Sequence, residues 1–314
     1  MILGVDTSCY TTSLAVVDEN AKLLADCRQL LPVKEGSRGL AQSEAFFSHV
    51  NQLPLLLTRV FAEISPRELT AIGVSNKPRS LPDSYMPVFR AGESLAKALS
   101  VSLGIPLYFT SHQDGHLAAA LWSAACVWEE PFLAVHISGG TTELLLVRPQ
   151  STGFCLQIVG DCDLAAGQFV DRVGVNLGLP FPAGPHLEAL ALRSEGSKIK
   201  LPVAVQGSKI SFSGPQSAAD RLLAQGAEPK ELALAVFFTI GESLVRAVAA
   251  AISEYNLSRV IFMGGVAANS LVKAHLTERL ASQAEVVFAD KQYSGDNAVG
   301  VAVFASRMQN SEAE

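Results

Sequence analysis

The chain has 314 residues, 49% of them apolar and 17% charged, with a formal net charge of −6. That length exceeds what one ordinary core serves and points to two lobes, and the composition excludes a disordered chain. The acidic balance excludes a protein that grips nucleic acid by bulk electrostatics alone, though not a local basic patch or a partner that supplies one.

The chain opens Met1-Ile2-Leu3-Gly4 with no basic leader, and Asp6 breaks its apolar run. A signal peptide is therefore not expected, and no apolar stretch is expected to reach the ~20 residues of a spanning helix. Cys9, Cys27, Cys126, Cys155 and Cys162 are scattered and lack a Cys-x-x-Cys spacing. Neither a disulfide framework nor a thiolate zinc site is expected, and a cytoplasmic location fits.

Two segments repeat one pattern. Leu3 to Ser8 is an apolar strand, followed by a turn and a second apolar strand, Thr11 to Val17. Leu133 to Gly140 and Thr141 to Val147 do the same. Each pair is followed by a third strand-like run, Lys22 to Leu31 and Phe154 to Gly160, and then by helical periodicity, Gln42 to Ala62 and Ala165 to Leu177. This predicts an internal duplication of a β-meander followed by α/β units.

Ala71 to Ser75, Ile105 to Thr110 and Arg259 to Met263 read as short buried strands. Val88 to Leu103, Pro229 to Tyr255, Asn269 to Gln283 and Asp296 to Met308 read as helices. Prolines 78, 82 and 87 break up a loop from Asn76 to Pro87, Ser194 to Pro215 reads as an insertion or lid, and the tail after Met308 reads as frayed. The expected class is α/β, with mixed sheets flanked by helices in two lobes and a ligand between them. The expected boundaries are 1–110, completed by a C-terminal helix over 294–314, and 111–293.

Asp6-Thr7-Ser8 to Thr12 and Ser138-Gly139-Gly140-Thr141-Thr142 are sharp turns of small residues. Their backbone N–H groups and hydroxyls suit phosphate, and Asp6 suits a metal-bound water. Either loop alone is an ordinary tight turn; as a pair they favour nucleotide binding. Phe262 to Asn269 runs from a strand through Gly264 and Gly265 into a helix, with room for adenine or ribose and with Asn269 as N-cap. It is not the dinucleotide fingerprint, and no Walker lysine loop is present.

His112-Gln113-Asp114-Gly115-His116 opens an apolar helix. A spacing of four puts both imidazoles on one face, close enough to share zinc or iron. Zinc peptidases need Glu directly after the first His; Gln113 takes no proton, and Gly115 speaks against a regular peptidase helix. A third ligand must come from elsewhere: Asp296, at a helix start, is the stronger candidate and His136, inside a strand, the weaker.

From Asp6 to Val301 the chain resembles the TsaD/YgjD family of tRNA threonylcarbamoyltransferases, also labelled glycoproteases. The matches, in order, are Asp6-Thr7-Ser8-Cys9, Gln42-Ser43-Glu44, His112 with Gly115-His116, Ser138-Gly139-Gly140, Asp163 with Ala165-Ala166-Gly167 and Asp171, Ser211 to Gly214, Gly264 to Asn269, and Asp296-Asn297. The resemblance implies an actin/hexokinase/Hsp70-like fold of two duplicated lobes. It implies a metal, Fe or Zn, on His112, His116 and Asp296. It implies an adenine nucleotide, ATP or an acyl-adenylate with Mg, at Ser138, Gly139, Gly140, Gly167, Asp171, Gly184, Gly264, Gly265 and Asn269, with Asp6 and Ser8 at the chemistry. The implied reaction moves a threonylcarbamoyl group from its adenylate to N6 of the adenosine beside the tRNA anticodon. Small partner proteins of that pathway and a homodimer are further expectations.

The chain departs from the family pattern at several points. Tyr10 and Thr11 stand where the family carries acids, Thr141 replaces the histidine of Ser-Gly-Gly-His-Thr, and Gln216 behind Pro215 replaces a lysine. Lys77-Pro78-Arg79-Ser80-Leu81-Pro82 replaces a Gly-Pro-Gly-Leu loop. Glu44 and Asp83 are other candidate bases. Alternative readings are a divergent ATP- and metal-binding paralogue with another acceptor or a regulatory role, and, weakest, a metallopeptidase.

Overall fold

A computed structural model describes residues 1–8, 10–32, 40–81, 83–150 and 153–313. Cys9 and Pro82, both named above, lie outside the described residues. The chain divides into two compact units: Met1–Val127, Pro149–Cys155 and Gln292–Glu314 form the first, Trp128–Arg148 and Leu156–Lys291 the second.

The first unit begins with β1 (Ile2–Thr7), β2 (Thr11–Val17) and β3 (Leu23–Leu30). Helix α1 (Gln42–Glu63), β4 (Ala71–Lys77), α2 (Phe89–Leu103), β5 (Leu107–Ser111) and α3 (His112–Ser123) follow. The sheet order is β3-β2-β1-β4-β5, with β1 antiparallel to β2 and parallel to β4. Every residue of β1 and β2 is buried. That explains why both read as continuous apolar runs rather than as alternating strands: helices cover both faces of the sheet.

In the second unit, β6 (Phe132–Ile137) and β7 (Thr142–Gln150) form a hairpin, followed by β8 (Gly153–Gly160), α4 (Ala166–Asn176) and α5 (Gly184–Ala191). A small hairpin of β9 (Ala204–Gln206) and β10 (Lys209–Ser211) precedes α6 (Ser213–Ala224) and α7 (Pro229–Tyr255). Strand β11 (Arg259–Met263), α8 (Ser270–Leu280), β12 (Glu285–Phe288) and α9 (Val299–Ala313) complete the chain, α9 counting with the first unit. The second sheet has the order β12-β11-β6-β7-β8. Read from β8, its connectivity repeats that of the first sheet strand for strand, so the duplication predicted from the hairpins extends through both parallel additions.

Several expectations are corrected. Segment 194–215 is not one loose stretch, because β9 and β10 pair within it. The tail does not fray at Met308, since α9 runs to Ala313. Helix α3 groups with the first unit rather than starting a second lobe at 111. Helix α7 is, by length and composition, apolar enough to cross a membrane, contrary to the sequence reading; 78% of its most apolar window is buried within the fold. Leu232, Val236, Ile240, Leu244 and Val248 anchor α7 in the core of the second unit.

Small residues set how α9 packs in the first unit. A Cβ added at Gly4 of β1 would lie 2.6 Å from the Ala302 nitrogen, and one at Gly73 of β4 would lie 2.7 Å from the Val301 oxygen. A Cβ at Gly300 of α9 would collide with the Gly115 carbonyl of α3. These glycines let α9 lie directly on the sheet and on α3, far closer than ordinary side chains allow.

Candidate functional site

The first cluster is built from three distant parts of the first unit. Ser111 caps α3, its hydroxyl accepting from the Asp114 N–H at 3.1 Å, so His112 enters the first turn and His116 follows one turn later on the same face. Their Nε2 atoms are 3.0 Å apart. The Asp296 Oδ1 lies 3.3 Å from both. It is delivered by the turn before α9, which the Ala298 N–H anchors on Ser13 Oγ at 2.8 Å and Asn297 caps through the Val299 N–H at 3.0 Å.

Helix α3 is regular through Gly115, contrary to the sequence reading. The glycine instead serves the close crossing with α9 that brings Asp296 to the histidines. Asp296 joins the pair in this cluster, while His136 lies on β6, paired with Met263 and Glu143.

Behind the pair stands Asp6, fully buried at the end of β1. Its Oδ1 is 3.1 Å from His112 Nδ1 and accepts from the Ser75 hydroxyl, while its Oδ2 accepts the Ser8 N–H at 3.3 Å. Burial alone would lower the His112 pKa, but Asp6 and Asp296 outweigh it and hold it well above the usual range. Burial would raise Asp296, but His112 and His116 hold its carboxyl well below. Asp6 is likewise pulled down, against burial, by His112 and Ser75. The site favours positive charge.

The donor set suits a metal. Two imidazole nitrogens and one carboxylate oxygen lie within 4.8 Å of one another. Their separations approach the roughly 3.3 Å that tetrahedral ~2.0–2.1 Å bonds set between ligands. His112, His116 and Asp296 side chains keep 20%, 9% and 26% of their exposure, which leaves a side open to further ligands. Asp6 holds the other ring nitrogen of His112, the arrangement that fixes a ligating tautomer. No carboxylate follows His112, so a peptidase base is missing where that mechanism needs one.

The second cluster belongs to the second unit. The turn from Ser138 to Thr141 is closed by the Ser138 N–H to the Thr141 carbonyl at 2.8 Å and by the Thr141 N–H to Ser138 Oγ at 3.2 Å. Helix α4 docks on it: Ala166 N–H donates to Thr142 Oγ1 at 2.9 Å and Gly167 N–H to the Ser138 carbonyl at 3.2 Å. A Cβ on Gly167 would sit 2.5 Å from Gly139 Cα, so only glycine permits this approach. On the other side the Val266 N–H donates to the Ile137 carbonyl at 3.0 Å. Gly264, at φ 101°, fits there because a side chain would strike that same carbonyl.

Asn269 caps α8 through Leu271 and Val272 N–H groups at 3.1 and 3.0 Å, and Glu188 takes the Ser270 N–H at 2.7 Å. These bonds use the first three amides of α8, and the turn uses those of Ala166 and Gly167 at the start of α4. Gly139, Gly140 and Gly265 are exposed, with nothing within 4 Å of an added Cβ. Asp171 accepts the Ala183 N–H at 2.8 Å and so holds the entry to α5 at Gly184; burial raises its pKa, partly offset by that bond.

The structure thus gathers Ser138, Gly139, Gly140, Gly167, Gly264, Gly265 and Asn269 around one turn, with Asp171 and Gly184 at the adjoining α4–α5 junction. Sequence reasoning named Thr142 as part of the turn but missed Ser75 and Glu188, single polar residues with no spacing signature. It matched Asp163 and Ser211 to Gly214 separately. Asp163 in fact accepts from Ser211 Oγ at 2.6 Å and Phe212 N–H at 2.9 Å. Of the departures from the family pattern, Tyr10 is 46% exposed and Thr11 only 5%. Gln216 bridges Arg172 and Asp220.

Residues 33–303 match the family model described as tRNA N6-adenosine threonylcarbamoyltransferase. A protein of that name from Geobacillus kaustophilus is 31% identical, covering 96% of this chain and 90% of its own. Among solved structures, the activator of 2-hydroxyisocaproyl-CoA dehydratase from Clostridium difficile superposes with a TM-score of 0.55 at 12% identity, covering 99% of this chain and 96% of its own. A ROK family glucokinase from Streptomyces griseus gives a TM-score of 0.57 at 13% identity, covering 97% and 98%. These structural likenesses support the kinase-like duplicated fold.

Proposed function

The chain belongs to the tRNA N6-adenosine threonylcarbamoyltransferase family, and from that premise we propose that it transfers a threonylcarbamoyl group from threonylcarbamoyl-adenylate to N6 of the adenosine beside the tRNA anticodon. The family match across nearly the whole chain is the observation that carries the reading; the two clusters support it.

The reaction joins the exocyclic amine nitrogen to the carbamoyl carbonyl carbon. It breaks the carbon–oxygen bond to the phosphate, releases AMP and frees one proton. His112, His116 and Asp296 would hold one Fe or Zn ion, which when bound supplies Lewis-acid polarisation of a carbonyl or phosphoryl oxygen. Asp6, fully buried and bonded to His112 and Ser75, orients the ligand ring rather than meeting substrate. Ser8 lies beside it, its buried hydroxyl without a partner among the described residues.

The turn at Ser138, Gly139 and Gly140, with Gly167 beneath it, would receive the adenylate phosphate. Gly264, Gly265 and Asn269 would flank the nucleoside, and Asp171 with Gly184 would shape the edge of that site. Mg would accompany ATP. tRNA is the acceptor, and small partner proteins of the pathway act with the chain.

The test is a single-turnover assay with threonylcarbamoyl-adenylate, the partner proteins and unmodified tRNA, read by nucleoside mass spectrometry. Formation of the modified adenosine that disappears with His116→Ala supports the proposal. No transfer by metal-loaded wild type with tRNA, alongside transfer to another amine, would overturn it.

A further inference from the structure

With a net charge of −6, the chain can hold an RNA acceptor only where cations gather on one face. Residues 77–97 of the first unit gather them: Lys77, Arg79, Arg90 and Lys97 stand against only Asp83 and Glu93.

The fold sets part of this segment around an exposed aromatic on the edge strand β5. Phe109 is 44% exposed, whereas Tyr108 and Thr110 on either side of it are buried. Lys97 of α2 places its ammonium 5.7 Å from the centre of the Phe109 ring. That ammonium donates to Glu93 Oε1 at 2.7 Å, and Arg90 donates to Glu93 Oε2 at 2.9 Å. Two cations thus share one carboxylate, and one positive charge is left over. Phe109 also borders a cavity of about 220 Å³ together with Lys77, Ser80 and Phe154. That volume lies between a water's ~30 Å³ share of liquid and the ~300 Å³ of drug-sized sites, room for one planar base. Asp114 in the cavity wall is 4% exposed, and its Oδ2 is taken by the hydroxyls of Ser80 and Ser111, so its carboxylate is set back from whatever enters.

The same face is tied to the helix that carries the histidines. The Gln113 N–H, next to His112, donates to the Pro78 carbonyl at 3.0 Å. The Arg79 N–H donates to Ser84 Oγ at 2.9 Å, and Tyr85 after it is 65% exposed. Phe109 lies on the strand that leads directly into His112. Exposed rings among cations suit single-stranded nucleic acid, because bases stack on the rings while phosphates meet the charges. An acidic peptide would use the cations and leave the rings without a planar partner. Lys77 and Arg79 belong to the segment that replaces the family's Gly-Pro-Gly-Leu loop, so this face is a feature of this chain rather than of the family pattern.

We propose that this face binds an unpaired stretch of the tRNA, with one base stacked on Phe109 and neighbouring phosphates on Lys77 and Lys97. The inference rests on the reading of tRNA as the acceptor and names the surface that holds it.

Fluorescence anisotropy of the full chain with a labelled, unmodified tRNA tests it, with no adenylate donor present. Phe109→Ala should weaken binding about 5- to 150-fold, the worth of one stacked base, and leave the salt dependence unchanged. Phe109→Trp should keep the affinity. Lys77→Gln and Lys97→Gln should each lower the slope of log affinity against log salt by roughly 0.7, as one fewer counterion is released. Circular dichroism establishes that each variant folds, and if one does not, the others decide. No binding by wild type, or affinity and slope unchanged in the folded variants, would overturn the proposal, the latter leaving the face to a protein partner. An equal loss from Lys198→Gln with Lys200→Gln, exposed on the second unit, would also overturn it by showing bulk charge rather than a site. Single-turnover transfer separates this inference from the proposed function: wild-type transfer at limiting tRNA in all three variants sinks the surface alone, and tRNA bound here but never modified sinks the function alone.

Discussion

Asp6 shows how much a single residue's role depends on what surrounds it. Bonded to Ser75 and to His112 Nδ1, it would orient the ring of the proposed ligand His112, and partners of this kind are worth about 10- to 100-fold in metal affinity. Asp6→Asn should weaken metal binding by that factor in a competition titration, whereas His116→Ala should abolish stoichiometric metal in elemental analysis. Unchanged affinity in Asp6→Asn would remove it from the site.

The missing family acids separate on burial. Tyr10 at 46% exposure accepts a carboxylate within about 0.5 kcal/mol of stability, whereas Thr11→Glu at 5% exposure buries an unpaired charge. If an acid is what the reaction lacks, Tyr10→Asp alone should raise the single-turnover rate, by ~10²-fold or more for a general base. An unchanged rate would show that the proton leaves by another route, such as exposed Glu44 or Asp83.

His49 adds a pH dependence. Its Nδ1 lies 2.8 Å from Thr12 Oγ1, and burial pushes its imidazole below the usual range, with the Ser8 backbone and Asp6 offsetting part of that. The native state keeps it neutral while the unfolded chain takes up a proton below about pH 6.5. The unfolded state then binds more protons, so this contribution is complete above that pH and falls away as pH drops. His112, whose pKa is raised, contributes in the opposite sense, so the test is the difference: the gap between the denaturant midpoints of wild type and His49→Gln should narrow from about pH 7.5 to about pH 5.

At the scale of elements, glycines decide which helices approach which loops. Gly300→Ala drives a methyl into the Gly115 carbonyl, an overpacking that costs about 1–3 kcal/mol. Because the same crossing positions Asp296, the variant should lose metal affinity along with thermal stability. Gly265→Ala, with open space at its Cβ, is the control that should leave stability unchanged. In the second unit, Asn269→Ala removes both cap bonds of α8 and should cost about 1 kcal/mol in a denaturation curve. If Asn269 also touches nucleotide, the thermal shift given by ATP should shrink by more than the stability loss explains.

For the whole molecule, the repeat of one strand order in both sheets accounts for the early legibility of the fold. Leu3 to Val17 and Leu133 to Val147 carry the same apolar-turn-apolar pattern because each builds the buried hairpin of its own sheet. A spacing of four on α3 was enough to name a metal pair, since neighbours on one helix face are fixed by local geometry. Short edge elements escaped: β12 and the β9–β10 hairpin are too brief for a period, and α5 and α6 start at Gly184-Pro185 and Ser213-Gly214-Pro215, which read as breakers. What the sequence by itself determined were the periodic elements, the duplicated hairpins and the histidine spacing, because these depend on residues within a few turns of one another. Only the tertiary structure decided that Asp296 completes the pair, that Asp6 stands behind it and that Lys77 and Phe109 share a pocket. Those meetings depend on how closely α9, α3 and the sheet pack across long sequence separations, and no local pattern encodes that distance.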